Sequence, residues 1–426
     1  MRCEFGVQGV RRRARILEGR LEDSAVVVYV VDIPELFDRG GGLYQADDGL
    51  EWPDNINRFA AFSRAVVRLA LGQQGLGWQP RVLHCHDWQT GLACMLLRGE
   101  PRRPATVFTV HNMAYAGTGD RARFDAIGLP PQLFTPDALE FYGNFSLLKG
   151  GLASADLITT VSPSYAREIQ TPELGFGLDG LLRHRHAALV GVMNGVDYEL
   201  WDPHSDRHIT RHYNLRTLAR KRDNKSALQH ALGLRVIPDA LLFGVVSRLA
   251  HQKGIDLLLA AIPGMLEEPV QFALLADGDP ALHRALVLAA QANPGQVAFV
   301  SGFNEALAHQ IVASADALVM PSRYEPCGLA QLYALRYGTV PVVRNTGGLG
   351  DSVRDATPET LAAGTATGIV FHDATVAALT GGLRRALALF GDKGAWVRLQ
   401  RSGMKADFSW KSSAQTYLEL YRRASP

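Results

Sequence analysis

The sequence predicts an α/β protein built from two doubly wound parallel sheets, and three observations carry that prediction. Short apolar runs rich in β-branched residues, continuous rather than alternating, recur along the 426 residues. Strands buried on both faces require such runs. Longer mixed segments separate them, as crossover helices between parallel strands demand. Finally, the runs form two series, divided by the polar, aromatic stretch NGVDYELWDPHSD (194–206).

The first series contains the expected strands AVVVYVVD (25–32), RVLHCHD (81–87), ATVFTVHN (105–112), LITTVS (157–162) and ALVGVMNG (188–195). The second contains LLFGVVSR (241–248), QFALLADG (271–278), QVAFVSG (296–302), ALVMPSR (317–323), VPVVRNT (340–346) and GIVF (368–371). One domain is therefore expected over 1–192 and a second over 193–405. Residues 406–426 complete the chain. Within SSAQTYLELYRRA (412–424), Ala414, Tyr417, Leu418 and Tyr421 fall on one helical stripe that must pack against something.

Composition narrows the function. A formal net charge of +2 gives no reason to expect a polyanion, so nucleic acid is not the expected ligand. No apolar run approaches the ~18 residues that span a bilayer, so no membrane partner is expected. The N-terminal cluster Arg11, Arg12, Arg13 and Arg15 is not followed by an apolar core and does not read as a signal peptide. Cys3, Cys85, Cys94 and Cys327 are too scattered for a disulfide framework or a zinc site. A reducing, cytoplasmic location follows.

Open α/β sheets bind ligands beyond the carboxyl ends of their strands. In VVSRLAHQKG (245–254), Arg248 and Lys253 follow a buried strand; a guanidinium fork and a point charge together suit a diphosphate. In NTGGLGDSV (345–353), Gly347 and Gly348 open a helix whose N–H groups could approach a phosphate. In LHCHDWQTG (83–91), His84 and His86 share a strand face, but no third ligand pattern makes a metal site. DGD (277–279) reads as a turn stiffened by Pro280. His111 ends a strand, where it is either a satisfied structural histidine or a donor to a substrate hydroxyl. Glu325, in PSRYEPCGLAQLY (321–333), sits at a strand-to-helix corner, where a fixed carboxylate could orient sugar hydroxyls or only cap backbone N–H groups. A G-x-x-x-x-G-K-[ST] loop is missing, as is an early G-x-G-x-x-G, which disfavours P-loop phosphoryl transfer and nicotinamide chemistry. Taken together, the corners suit transfer of a group from a nucleotide diphosphate carrier.

HDWQTGL, TVHNMAY, VMNGVD, VVSRLAHQKG, PSRYEPCGLAQLY and RNTGGLGDSV, in this order, resemble the bacterial glycogen synthases of the starch-synthase-like glucosyltransferase family. The resemblance runs from about Val28 to the end. It implies a glycosyltransferase-B architecture, two Rossmann-like domains facing a cleft, with the terminal helix crossing back to the first domain. It also implies ADP-glucose as donor, an α-1,4-glucan as acceptor, retention of configuration, and no metal or cofactor. By the same resemblance, Arg248 and Lys253 neutralise the leaving diphosphate, and Glu325 contacts the donor's glucose or ribose. Cys327, Gly328 and Leu329 line the sugar pocket, and Asn194 touches the donor sugar. Phe303 stacks on adenine, and Thr346, Gly347 and Gly348 form the phosphate-side loop. His111 lies near the glucose 6-hydroxyl and the reacting carbon, and Asp87 lies on the acceptor side.

Three departures matter. Position 333 is Tyr where many related enzymes carry a second Glu, which argues against a paired-carboxylate mechanism. Ala276 stands where the family usually has Gly. The family's early Lys-x-Gly-Gly-Leu loop has no counterpart; RGGGLY (39–44) falls in a variable loop and is rejected. The expectation is a first domain that begins after its first βα unit. Two alternatives follow: a catalytically impaired glucan- or nucleotide-binding remnant, or a related enzyme using UDP-glucose.

Overall fold

The computed structural model describes residues 2–7, 10–73 and 77–425. The chain divides into two compact units. The first comprises 1–161, 166–191 and 416–426; the second comprises 162–165 and 192–415.

The first unit holds a parallel sheet ordered β10-β9-β5-β4. Its strands are β4 (Val82–His86), β5 (Ala105–Val110), β9 (Leu157–Thr160) and β10 (Leu189–Gly191). β5 and β9 are buried almost throughout, as their continuous apolar runs require. β6 (Thr118–Gly119), β7 (Glu140–Phe141) and β8 (Asn144–Ser146) form a small antiparallel sheet ordered β6-β8-β7. The terminal helix Trp410–Ala424 brings Tyr417 and Tyr421 against His84 of β4.

The run at 25–32 corrects an expectation. It forms β3 (Val27–Asp32), but in a separate antiparallel sheet ordered β1-β2-β3, with β1 at Arg2–Val7 and β2 at Val10–Arg20. β3 is half solvated, with Val30 50% exposed. A β-branched run states that a strand forms; it does not state which way its partner runs. β2 shows a half-buried strand's alternation: Ala14 and Ile16 are buried between exposed Arg13, Arg15 and Leu17.

The second unit is a six-stranded parallel sheet ordered β13-β12-β11-β14-β15-β16. In chain order these are β11 (Leu241–Leu249), β12 (Val270–Gly278), β13 (Val297–Ser301), β14 (Ala317–Met320), β15 (Val340–Arg344) and β16 (Ile369–Phe371). Phe243 and Phe272 stack in its core with ring centroids 5.2 Å apart. The strand order reverses between β11 and β14. The ladder there is two residues long, Phe243–Ala317 and Gly244–Leu318, although β11 pairs with β12 along its whole length. A crevice beyond the carboxyl ends of those two strands is where this topology places a ligand.

Candidate active site

At that switch point the second unit gathers most of the residues singled out in the sequence. β11 runs into a short 3-10 turn, His251–Lys253, which delivers Lys253. β14 runs into the loop that delivers Glu325. Lys253 Nζ lies 2.6 Å from Glu325 Oε2, and the Ser322 hydroxyl donates to the same oxygen at 3.0 Å. The pair is largely withdrawn from water, with side chains 16% and 6% exposed. Charges held that closely in a dry site interact far more strongly than in solvent.

The loop carrying Glu325 is clamped from both sides. From the β11 side, the Arg323 N–H donates to Gln252 O at 2.8 Å, and Arg323 pairs with Asp256 at 2.6 Å. From the β15 side, Arg344 Nε donates to Ser322 O at 2.8 Å and Arg344 also reaches Arg323 O. Gly254, at φ +66°, lets the helix Ile255–Met265 start against β14; a Cβ there would sit 2.1 Å from Pro321 O. Below the loop, Gln331 Nε2 donates to the carbonyls of Cys327 and Gly328, both at 3.0 Å. None of Ser322, Arg344, Gln252 and Gln331 was anticipated as support for Glu325. Gln331 and the run after β14 could have suggested it, since a polar side chain in a buried helix start needs partners.

Gly348 differs from expectation. Its N–H, expected to face a phosphate, is donated to Glu325 O at 3.1 Å and Pro326 O at 3.2 Å. Close approach of two backbones is what calls for glycine here. Thr346 is buried at the end of β15. Cys327 is buried, and burial pushes its thiol up to about 12, with the Asn194 backbone N–H opposing that shift. The thiol is thus no nucleophile at ordinary pH. Asn194 is half-buried beside it and Gly328 is partly exposed, while Leu329 is 39% exposed.

Phe303 and Arg248 belong to a neighbouring recess of about 470 Å³ at the ends of β11, β12 and β13, shared with Val246, Leu275, Gly278 and Gly302. The Phe303 ring is 93% exposed, an unusual position for a large apolar group. Asp279 of the DGD turn caps the helix Pro280–Ala292 by accepting from Ala281 and Leu282, so that motif is structural. Position 333 carries no carboxylate; Tyr333 stacks on Trp201 at 3.8 Å.

Asp87 and His111 lie in the first unit, at adjoining strand ends. Asp87, at φ +56°, accepts the His111 backbone N–H at 2.7 Å. Burial raises its carboxyl, opposed by His111 and by the backbone N–H groups of His111 and Asn112. His86 Nδ1 lies 3.0 Å from His111 Nε2, and the His84 and His86 rings stack at 4.3 Å. Among the described residues, no three His, Cys, Asp or Glu side chains are grouped to hold a metal ion.

This column makes stability depend on pH. Burial, and then neighbouring imidazoles, push His84 down to about 3 and His86 to about 4. Above the ordinary value of 6.5, both rings are neutral in the folded and unfolded chain alike. Below it, the unfolded chain takes up protons that the folded column refuses, so stability falls as pH drops through 6.5 toward 4. The melting temperature is therefore expected to be lower at pH 5 than at pH 7, and His84→Gln should narrow that gap. An unchanged gap in the variant would show that the column does not resist protonation.

Comparison with known proteins fits this geometry. The starch synthase catalytic domain family matches residues 3–184, and the glycosyl transferases group 1 family matches residues 235–390. A glycogen synthase of Thioalkalivibrio sulfidiphilus is 52% identical over 408 residues, covering 96% of this chain and 84% of the relative. The chain belongs to the glycogen and starch synthase family. A glycogen synthase of Methylococcus capsulatus is 50% identical, covering 96% of the chain and 83% of the relative. Among solved structures, the catalytic domain of starch synthase IV from Arabidopsis thaliana, bound to ADP and acarbose, matches with a TM-score of 0.90 at 33% identity, covering 100% of this chain and 87% of that one. A sucrose-phosphate synthase from Thermosynechococcus elongatus, at 20% identity and a TM-score of 0.57, shares the fold. That fold is the glycosyltransferase-B type with two Rossmann-like domains, and members of this family are glycosyltransferases. No helix among the described residues is long and apolar enough to cross a membrane.

Proposed function

We propose that this chain is a cytoplasmic glycogen synthase that transfers glucose from ADP-glucose to the non-reducing end of an α-1,4-glucan with retention of configuration. The observation that carries the reading is the Lys253–Glu325 pair at the β11/β14 switch point. Lys253 and Arg248 stabilise the diphosphate as the glycosidic bond to it breaks, since cations fixed where negative charge develops act only in the transition state. Glu325 orients the donor glucose and balances positive charge at the reacting carbon. Cys327, Gly328 and Leu329 wall the sugar, with Asn194 beside them. Thr346 and Gly347 stand on the phosphate side. The Phe303 recess takes the flat face of adenine. His111 meets the sugar near its 6-hydroxyl and the reacting carbon, and Asp87, which holds the backbone of His111 and Asn112 in place, stands on the acceptor side.

A glycosidase-like mechanism needs two carboxyl groups about 5–10 Å apart across the bond. The partners of Glu325 described above are a cation and a hydroxyl, and Tyr333 is committed to Trp201. This favours departure of the diphosphate with attack from the same face. The recess offers an apolar face that other bases could share, which leaves UDP-glucose as the competing donor.

Labelled glucose incorporation into glycogen by the purified chain tests the reading. Incorporation from ADP-glucose well above that from UDP-glucose is expected. Preference for UDP-glucose would overturn the donor assignment. Retained glycogen binding without transfer from either donor would instead support a binding remnant.

A further inference from the structure

The second function-bearing corner, in the first unit, contains a side chain that no role above uses. His86 is the last residue of β4, and its ring spans to the end of β5. We propose that His86 is a positioning residue for His111, fixing the orientation of that imidazole toward the sugar and coupling its tautomer to its own. This rests on the reading that His111 meets the sugar.

The geometry supports it at each end. His86 Nδ1 and His111 Nε2 are 3.0 Å apart, so one nitrogen donates and the other accepts. A single shared proton makes the tautomer of one ring depend on the other, and leaves His111 Nδ1 as its nitrogen for a ligand. His86 is itself fixed. Its ring stacks on His84 with an interplanar angle of 27°. His84 is held at both nitrogens, by Tyr421 Oη at 2.7 Å and by Thr109 Oγ1 at 2.6 Å. The His86 backbone N–H is taken by Thr90 Oγ1 at 2.6 Å. Asp87, the next residue, anchors the His111 main chain at 2.7 Å. One two-residue corner therefore grips His111 by both its backbone and its ring.

The chemistry agrees. A bond between two imidazoles survives only while at least one is neutral. The groups facing His86 are His84 on its own strand and His111 just past β5, with Tyr417 and Tyr421 behind His84. Burial and His111 keep His86 neutral at ordinary pH. A sugar hydroxyl approaching His111 thus meets a ring whose orientation is already set, with less reorganisation left to the reaction.

The test compares His86→Ala with His86→Asn, whose amide can stand where Nδ1 stood. His86 packs its ring against His84 and His111 but keeps an edge open to solvent and lies outside the apolar core, so neither change opens the core. Truncation to Ala is expected to lower kcat on the order of 10–100-fold, with donor KM changed by less than about threefold, and Asn should recover most of the loss. A second readout needs no turnover: nitrogen NMR of labelled histidine should show the tautomer populations of His111 shifted between the wild-type chain and His86→Ala. Unchanged kcat in His86→Ala, or an Asn variant as impaired as Ala, overturns the proposal. So does a His111 tautomer indifferent to His86, and that arm decides the matter even if the wild-type chain transfers no glucose.

Discussion

Glu325→Gln is expected to lower glucose transfer by about 10²–10³-fold while leaving the protein folded. Glutamine keeps the shape of the side chain and can still receive the Ser322 hydroxyl. What it removes is the negative charge 2.6 Å from Lys253. If Glu325 serves the reaction by its charge and by its hold on the ammonium group, both effects fail at once. Glu325→Ala is a less clean experiment. It leaves a cation only 16% exposed without its partner, and removing one member of such a pair costs roughly 3–5 kcal/mol. Loss of activity there would mix lost chemistry with lost fold. Lys253→Met complements the pair from the other side, and should reduce kcat more than it raises donor KM, because diphosphate charge grows as the bond breaks. Each variant is to be read as kcat and KM beside a thermal melt. A Glu325→Gln enzyme running at the wild-type rate would remove the carboxylate from the mechanism.

Much of the second unit was legible because its determinants are local. Runs such as LLFGVVSR and QFALLADG need no partner to declare themselves buried strands, and the strand-to-helix corner placed Glu325 at a carboxyl end. Residues that meet across long separations were not legible. Lys253 and Glu325 are 72 positions apart, and read separately they were assigned to different parts of the donor. His86 and His111 belong to two different βα units, so their bond is a property of sheet register rather than of either motif. The AVVVYVVD run shows a different limit. Its composition allowed either sheet type, and the antiparallel partner that decides it, Val10–Arg20, drew notice only for its arginines. The glycines of NTGGLGDSV were read through the nearest familiar chemistry, a phosphate loop. For Gly348 the structure gives a plainer cause, a carbonyl pressed against its backbone.

That cause makes Gly347→Ala the sharpest structural prediction. Gly347 has φ +45°, in the left-handed region where a side chain costs about 1–2 kcal/mol. A Cβ there would lie 2.0 Å from the carbonyl oxygen of Glu325 and 2.9 Å from its carbon. Ordinary van der Waals contact needs more than 3 Å, and Gly348 donates to the same oxygen, so the Glu325 backbone must give way by about 1 Å. Overpacking of this kind adds roughly 1–3 kcal/mol. Together the two effects should lower the melting temperature of the second unit by roughly 4–20 °C. Activity should suffer more than stability. A displacement of about 1 Å at a positioned group costs on the order of 10²-fold in rate, and this one falls on the residue whose carboxylate meets Lys253. Gly381→Ala supplies the control. That glycine lies in the helix Val376–Gly391 with nothing within 4 Å of a Cβ, so alanine there should stabilise by up to about 1 kcal/mol and leave turnover unchanged. If Gly347→Ala behaves like Gly381→Ala in both melt and rate, the Glu325 loop is not pinned against the Gly347 backbone, and the rigidity assigned to the carboxylate goes with it.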